Sequence, residues 1–204
     1  MCCICCGACC TFLYAVGGLI RVTKTLLLHS CCAPCSSHVL SLLTPDYNII
    51  DYYYNPNITE KAEYEKRTEE LRRFISEFPH ENPIEFVEGK YEPEVYFEAV
   101  KGHEKDPERG ERCAICFRLR LYEAAKKAKE LNADLFATTL TISPQKDAKL
   151  LNLIGEEAAE KYGVEYLSSD FKKKDGYKHS IELSREYNLY RQDYCGCVFS
   201  KRDK

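Results

Sequence analysis

The chain has 204 residues, enough for one well-buried core and short for two domains. Hydrophobic residues make up 45% and charged residues 30%, which is the balance of a globular protein. The formal net charge of −3 argues against a protein that coats nucleic acid indiscriminately, although it leaves room for a local basic patch.

The first 21 residues form a segment of their own, with six cysteines within residues 1–10 and an apolar stretch after them. That stretch lacks the basic opening of a signal peptide and is too short to span a bilayer. We expect residues 1–21 to be a non-native or unstructured extension, read from a start codon placed too far upstream. An accessory cysteine-rich metal site is the alternative. Residues 22–204 are expected to form a single α/β catalytic domain.

From Thr25 onward, short apolar runs alternate with helical patterns. Pro34 suits the first turn of the first helix, and Thr59 is placed to cap the second. Strands are predicted over 25–29, 48–54, 84–88, 134–138 and 164–167. Helices are predicted over 34–43, 59–78, 93–100, 114–131, 147–162 and 177–187.

This alternation predicts an α/β fold, a mainly parallel sheet with helices on both faces. Such a sheet binds ligands beyond the carboxyl ends of its strands, where the strand order reverses. The segment 29–35, HSCCAPC, falls where the first strand ends and the first helix begins. We therefore expect a site there.

Thirteen cysteines are the outstanding feature of the composition. A secreted disulfide scaffold fits poorly, because such scaffolds are small and loop-rich, whereas this chain has patterns for a full core. Close-spaced cysteines in a reducing compartment indicate metal or redox chemistry instead. Beyond residue 10 the cysteines form three groups: Cys31, Cys32 and Cys35; Cys113 and Cys116; Cys195 and Cys197.

The local context of each group favours thiolate chemistry. The first two groups lie at predicted helix N-termini, where the helix dipole lowers the pKa of a thiol. Gly196 gives the third group the backbone freedom to aim both sulfurs inward.

Three interpretations of these groups compete. A zinc ribbon would use Cys113, Cys116, Cys195 and Cys197 but leaves the first group unexplained. A thioredoxin-type redox pair does not need four further thiols. The third interpretation is a cubane cluster held by three or four thiolates, with the remaining thiolates binding a second metal or forming a redox-active disulfide.

Five segments, in this order, resemble the QueH-type epoxyqueuosine reductases of tRNA queuosine synthesis. The segments are LLLHSCCAPCSSHVL, YYYNPNI with the following EYEKR, ERCAICFRLRL, TTLTISPQKD and DFKKKDGYKHSIELSREYNLYRQDYCGCVFS. The resemblance extends from about residue 25 to 200 and leaves the first 21 residues without a counterpart.

The resemblance implies a nucleotide-alpha-hydrolase-like fold, shared with PP-loop tRNA-modifying enzymes. It implies a cobalamin-independent, two-electron removal of the epoxide oxygen from epoxyqueuosine at the tRNA wobble position. The implied cofactors are a [4Fe-4S] cluster and an additional mononuclear iron. The implied partners are a queuosine-family tRNA anticodon loop and an external one-electron donor such as a ferredoxin or flavodoxin. We expect a cytoplasmic protein without a membrane partner, and the oligomeric state stays open.

Carried over by position, the resemblance assigns the cluster to Cys32, Cys113 and Cys116. It assigns the lone iron to Cys31, Cys35 and either Cys195 or Cys197. An oxidised Cys195–Cys197 pair that stores two electrons is the alternative for the last group.

Other side chains are weaker candidates. Arg118, Lys178 and Arg191 are candidates for tRNA phosphate contact, against the default of a solvated basic face. We also predict that substrate is bound by Tyr54, Asn55 and Asn57. The alternative for each of them is a structural role. His179 and Asp170 are candidate proton donors, although histidines such as His179 more often have structural roles.

Two functions of other classes remain open. An iron–sulfur-dependent tRNA sulfurtransferase would need a glycine-rich pyrophosphate loop after the first strand, but residues 30–35 contain no glycine. The non-enzymatic alternative is a zinc-stabilised RNA-binding module.

Overall fold

A computed structural model of the chain describes residues 23–201, so the predicted extension over residues 1–21 lies outside the described residues. Strands and helices alternate along the described part, followed by a short 3₁₀ helix near its end, Val198–Ser200. The strands are β1 (Thr25–His29), β2 (Asn48–Tyr53), β3 (Ile84–Glu88), β4 (Leu135–Thr138) and β5 (Glu165–Tyr166). The helices are α1 (Ala33–Leu43), α2 (Lys61–Glu77), α3 (Pro93–Ala99), α4 (Glu111–Glu130), α5 (Ala148–Tyr162) and α6 (Gly176–Glu186). No helix in residues 23–201 is long and apolar enough to cross a membrane.

The five strands form one parallel sheet in the order β3-β2-β1-β4-β5. This confirms the predicted α/β fold with a parallel sheet. The chain leaves β1 in one direction for β2 and later returns on its other side for β4, so the strand order reverses at β1. His29, the last residue of β1, is in register with Tyr52 and with Thr138. The crevice beyond these three residues is the topological switch point, where ligands bind in open α/β sheets.

Alternate side chains of β1 enter two different cores, as the pleat of a strand requires. Leu26 and Leu28 pack with residues of α1 and α2 on one face, whereas Leu27 packs with alanines of α4 and α5 on the other. All three leucines are fully buried. The sheet therefore has helices on both faces, which fixes the carboxyl end of β1 rigidly between two layers.

Two helices start more than one residue away from their predicted first residue. Helix α2 begins at Lys61 with Glu60 as its N-cap residue, so Thr59 lies before the cap, and the Thr59 N–H donates to the Gly196 carbonyl at 3.2 Å. Helix α4 begins three residues early, at Glu111, so both Cys113 and Cys116 lie within its first two turns.

A short 3₁₀ helix, Thr139–Ile142, follows β4 and was not predicted. The Thr138 hydroxyl accepts the Leu140 N–H there at 3.2 Å. This turn brings Thr139 over the end of β1.

Candidate metal centre

The first cysteine group occupies the turn between β1 and α1. Cys32 is the N-cap residue of α1, and its carbonyl accepts the N–H groups of Cys35 and Ser36 at 3.2 and 3.1 Å. Pro34 occupies the first turn, where its missing N–H costs nothing. Cys31, Cys32 and Cys35 are thereby wrapped around a helix N-terminus, which stabilises negative charge on sulfur.

The sulfurs of this group are close enough to share one metal ion. The Sγ atoms of Cys31, Cys32 and Cys35 all lie within 4.8 Å of one another, and those of Cys31 and Cys32 are 3.7 Å apart. Sulfurs bonded tetrahedrally to one ion at about 2.3 Å lie about 3.8 Å apart. Within residues 23–201, no other three histidine, cysteine or carboxylate side chains converge as closely.

Contacts within the group separate the pKa values of its thiols. Hydrogen bonds from the thiols of Cys32 and Cys35 lower the pKa of Cys31 well below its usual range, with help from the cations of Lys146 and Arg120. The hydrogen bond between Cys31 and Cys32 raises the pKa of Cys32 to about 11. These contacts favour negative charge on the Cys31 sulfur, and a bound metal would displace the protons of the other thiols.

The other four cysteines line a single cavity of about 370 Å³. Cys113 and Cys116 enter it from the first turns of α4, and Cys195 and Cys197 enter it from the segment after α6. Burial raises the pKa of Cys116 to about 11.

Polar groups contact the sulfurs of this cavity. Tyr96 Oη is 2.8 Å from Cys197 Sγ. The Arg109 N–H donates to Cys113 Sγ at 3.3 Å, and Ser200 Oγ is 3.0 Å from Cys195 Sγ. All seven cysteines of the described residues are free thiols.

A second cavity, of about 190 Å³, joins the two sets of sulfurs. Cys35 lines it, and Cys195 and Lys146 line both cavities. Cys31 and Cys32 also belong to a buried apolar cluster against which Cys113 packs. The structure thus brings sulfurs from all three groups to the carboxyl edge of the sheet beside β1 and β4.

The Cys195–Cys197 segment is held by contacts to its backbone. Arg67, on α2, is 3% exposed and donates to the carbonyls of Tyr194 and Cys195, each at 3.3 Å. Asn57 Nδ2 donates to the same Cys195 carbonyl at 3.1 Å. Gly196 has a φ of +100°, and a Cβ there would lie 2.6 Å from Ile58 Cγ1. The positions of the two sulfurs therefore depend on contacts with residues 127 to 138 positions earlier in the chain.

The tyrosine and the two asparagines predicted to bind substrate are all buried and hydrogen-bonded within the protein. Tyr54 is 3% exposed and donates through its hydroxyl to Glu92 at 2.9 Å. Asn55 donates to the Ser30 carbonyl at 2.9 Å and accepts from Arg120 at 2.5 Å. Asn57 alone of the three lines the larger cavity.

The predicted phosphate-binding cations lie in different places. Arg191 lines the smaller cavity. Lys178 is exposed on α6. Arg118 forms an exposed ion pair with Glu157 at 2.9 Å. Arg191 is thus the only one of these three that borders the sulfur-lined region.

The two candidate proton donors line neither cavity. His179 Nδ1 is 2.8 Å from His38 Nδ1, between α6 and α1. The Asp170 carboxylate pairs with Lys172 at 2.8 Å and Lys173 at 3.5 Å. His179 is therefore engaged in a contact between two helices, and Asp170 is engaged in contacts within a loop.

Sequence reasoning missed three polar residues at the site, namely Lys146, Gln192 and Tyr96. Lys146 directly precedes the N-cap of α5, and the thiols of Cys31, Cys35 and Cys195 raise its pKa although burial lowers it. Gln192 Nε2 donates to Cys32 Sγ at 2.8 Å. Lys146 and Gln192 stand in segments that resemble the family, but no local pattern shows which sulfur each one meets.

Comparisons with known proteins agree on one family. The family model described as "Epoxyqueuosine reductase QueH" matches residues 26–203. A relative named epoxyqueuosine reductase QueH from Streptococcus pyogenes serotype M1 is 44% identical over 183 residues, which cover 89% of this chain and 72% of the relative. Relatives of the same name from Staphylococcus epidermidis and Thermotoga maritima are 44% and 36% identical, over 86% of this chain and 75% and 90% of their own lengths.

The match thus reaches every element of the fold and includes all seven cysteines of the sulfur-lined region. It confirms the family that the five sequence segments predicted. The chain belongs to the QueH family of epoxyqueuosine reductases.

Proposed function

We propose that this protein is an epoxyqueuosine reductase acting on the wobble nucleoside of tRNA. In this reaction the epoxide oxygen leaves as water, two electrons and two protons are consumed, and the cyclopentene of queuosine remains. The observation that carries the proposal is the convergence of cysteines from three remote segments at the switch point, in a chain that matches the family model from residue 26 to 203.

The donor set fits iron held by sulfur, because iron–sulfur clusters are bound by cysteine thiolates. We propose that Cys32, Cys113 and Cys116 hold a [4Fe-4S] cluster, and that the lone iron is held by residues of the other set, Cys31, Cys35 and Cys195 or Cys197. Cys32 lies 3.7 Å from Cys31 and shares an apolar cluster with Cys113, which supports two adjacent centres. A Cys195–Cys197 disulfide is the alternative two-electron store.

Bound there, these groups would supply a Lewis acid for the epoxide oxygen and a route for electrons delivered singly. The residues of the chain supply charge and hydrogen bonds. Lys146 lines both cavities and offsets the negative charge of nearby thiolates. Tyr96 and Lys146 both place a protonated donor beside the larger cavity, and Asn57 offers an amide there.

The proposed partners follow from this chemistry. The substrate is a tRNA anticodon loop, and Arg191, beside the smaller cavity, is placed to contact its phosphates. The electrons come from an external one-electron donor such as a ferredoxin or flavodoxin. A tRNA-modifying enzyme with these needs works in the cytoplasm.

Incubation with epoxyqueuosine-containing tRNA and a reductant tests the proposal directly. Anaerobically reconstituted protein is expected to yield a nucleoside whose mass is lower by one oxygen atom. A turnover that requires ATP would favour a sulfurtransferase instead. Colourless protein that contains only zinc would favour an RNA-binding module.

Two cysteine variants test the division of ligands. Cys113→Ala is expected to lose cluster absorbance and turnover, because it removes a cluster ligand. Cys35→Ala is expected to keep cluster absorbance and lose about one iron per chain. Iron and sulfide analysis, with the parent protein as reference, distinguishes the two. Full activity in Cys113→Ala contradicts the assignment.

A further inference from the structure

Gln192 contacts a cysteine sulfur from outside the set of ligands. It lies between α6 and the Cys195–Cys197 segment and lines the smaller cavity. Its Nε2 donates to Cys32 Sγ at 2.8 Å, a contact between residues 160 positions apart. A side chain from the last part of the fold therefore meets the sulfur at the start of α1.

The chemistry of the two partners fixes the orientation of this amide. A metal-bound cysteine is a thiolate, which only accepts hydrogen bonds, so only the N–H side of the amide can face it. Gln192 Oε1 is buried and has no hydrogen-bond partner within the described residues. A buried oxygen without a partner is unfavourable. The side chain therefore leaves its oxygen without a partner while its N–H side contacts Cys32 Sγ.

A hydrogen bond to a cluster sulfur affects its redox properties. Reduction adds negative charge, part of which resides on the cysteine sulfurs, and a donor aimed at that charge stabilises the reduced form. We propose that Gln192 raises the reduction potential of the centre that holds Cys32 and so eases its reduction by the external donor. This inference rests on the proposed function, specifically on Cys32 as a ligand of the iron–sulfur centre.

Gln192→Met tests the inference, since methionine has nearly the same length and no N–H donor. A redox titration monitored by electron paramagnetic resonance is expected to show a shift to lower potential, with iron and sulfide content unchanged. Asn82→Leu is the control for the potential. Asn82 donates through its side-chain amide to the Thr44 carbonyl at 2.8 Å and lines neither cavity. This control is expected to keep the parent potential. Gln145, the other glutamine of the sequence, lines both cavities, so Gln145→Met serves only to assign the nitrogen-15 coupling.

A second measurement uses the unaltered protein and so does not depend on the folding of a variant. With nitrogen-15 in the glutamine side-chain amides, the reduced cluster is expected to show a nitrogen-15 hyperfine coupling. The coupling should vanish in Gln192→Met and persist in Gln145→Met. An intact cluster with no coupling and an unshifted potential would overturn this inference alone. A parent protein that binds no iron–sulfur centre would overturn the proposed cofactor together with it.

Discussion

Asp51 is a fully buried carboxyl group on β2, close below the sulfur-lined region. Its Oδ2 accepts from the Ser30 hydroxyl at 2.8 Å, and its Oδ1 has no partner within the described residues. Burial raises its pKa from 3.8 to about 7. A raised pKa in the folded state gives stability that is complete below pH 3.8 and is lost as the pH rises through about 7.

Asp51→Asn should remove this pH dependence, because the amide carries no charge at any pH. We expect the variant and the parent to be similar in stability at pH 4. At pH 8 the variant should be more stable, by on the order of 4 kcal/mol at most. Urea unfolding of the reduced, metal-free protein at both values measures this. Asp46→Asn, an exposed aspartate, is the control. Parallel pH profiles for parent and Asp51→Asn would contradict the assignment.

At the scale of an element, the turn through Gly196 depends on the absence of a side chain. Gly196→Ala places a Cβ 2.6 Å from Ile58 Cγ1 on a backbone with a φ of +100°. Gly163→Ala is a matched control, since Gly163 has a φ of +65° but nothing within 4 Å of its Cβ position. The positive φ costs either variant about 1 to 2 kcal/mol. Overpacking adds about 1 to 3 kcal/mol for Gly196→Ala alone. Equal losses in urea unfolding would exclude the close contact as a cause.

Arg67 joins α2 to the Cys195–Cys197 segment by hydrogen bonds to two backbone carbonyls, and a buried ion pair with Glu63 holds it on α2. It contacts Glu63 at 2.6 Å, and its side chain is 3% exposed. Arg67→Met leaves Glu63 buried and uncompensated, so we expect a loss of about 3 to 5 kcal/mol in the free energy of unfolding. Arg72→Met, on the same helix, breaks an exposed pair with Glu88 and should cost about 1 kcal/mol or less. Chemical denaturation compares them, and similar losses would show that burial of the pair does not matter.

The parts of the fold that were predicted correctly depend on local patterns. The apolar run of β1 and the position of Pro34 were enough to place the first cysteine group at a helix N-terminus. Tyr54 and Asn55 were predicted to bind substrate, but their side chains contact Glu92 and Arg120 inside the protein. Such partners are 38 and 65 residues away, and no local periodicity encodes them.

Within the site, too, local sequence patterns do not show which distant side chains meet. The sequence shows that three cysteine groups exist, but the division of their sulfurs between two cavities arises from tertiary packing. Lys146 is an example. In the sequence it is only a lysine before an N-cap residue, and it reaches the site because β4 pairs with β1 in the sheet.

At the scale of the whole molecule, the two edges of the sheet differ in what they present. The carboxyl edge holds the sulfur-lined cavities, and Arg191 borders the smaller one. Lys24 lies at the opposite edge, before the first residue of β1. Under the proposed function the tRNA delivers its wobble base to the sulfurs, so Arg191 is placed to contact it and Lys24 is not.

Arg191→Gln should therefore weaken tRNA binding and lower its salt dependence. We expect the slope of log K against log salt concentration to fall by about 0.7 to 0.9, the value for one lost phosphate contact. Binding of tRNA at several salt concentrations measures the slope. Lys24→Gln makes the same change in net charge at the far edge and should leave the slope unchanged. An equal effect from both variants would mean that net charge, and not position, governs binding.

The late position of the Cys195–Cys197 segment has a consequence for how the protein matures. During translation the ribosome releases residues 31–116 long before this segment emerges, so the nascent domain carries only five of the seven thiols. The segment can dock only after Arg67 and Asn57 already lie on a folded surface. Under the proposed function, a metal centre that uses Cys195 or Cys197 can be completed only after this segment has been synthesised and docked, so a nascent chain that stalls before residue 195 lacks these ligands.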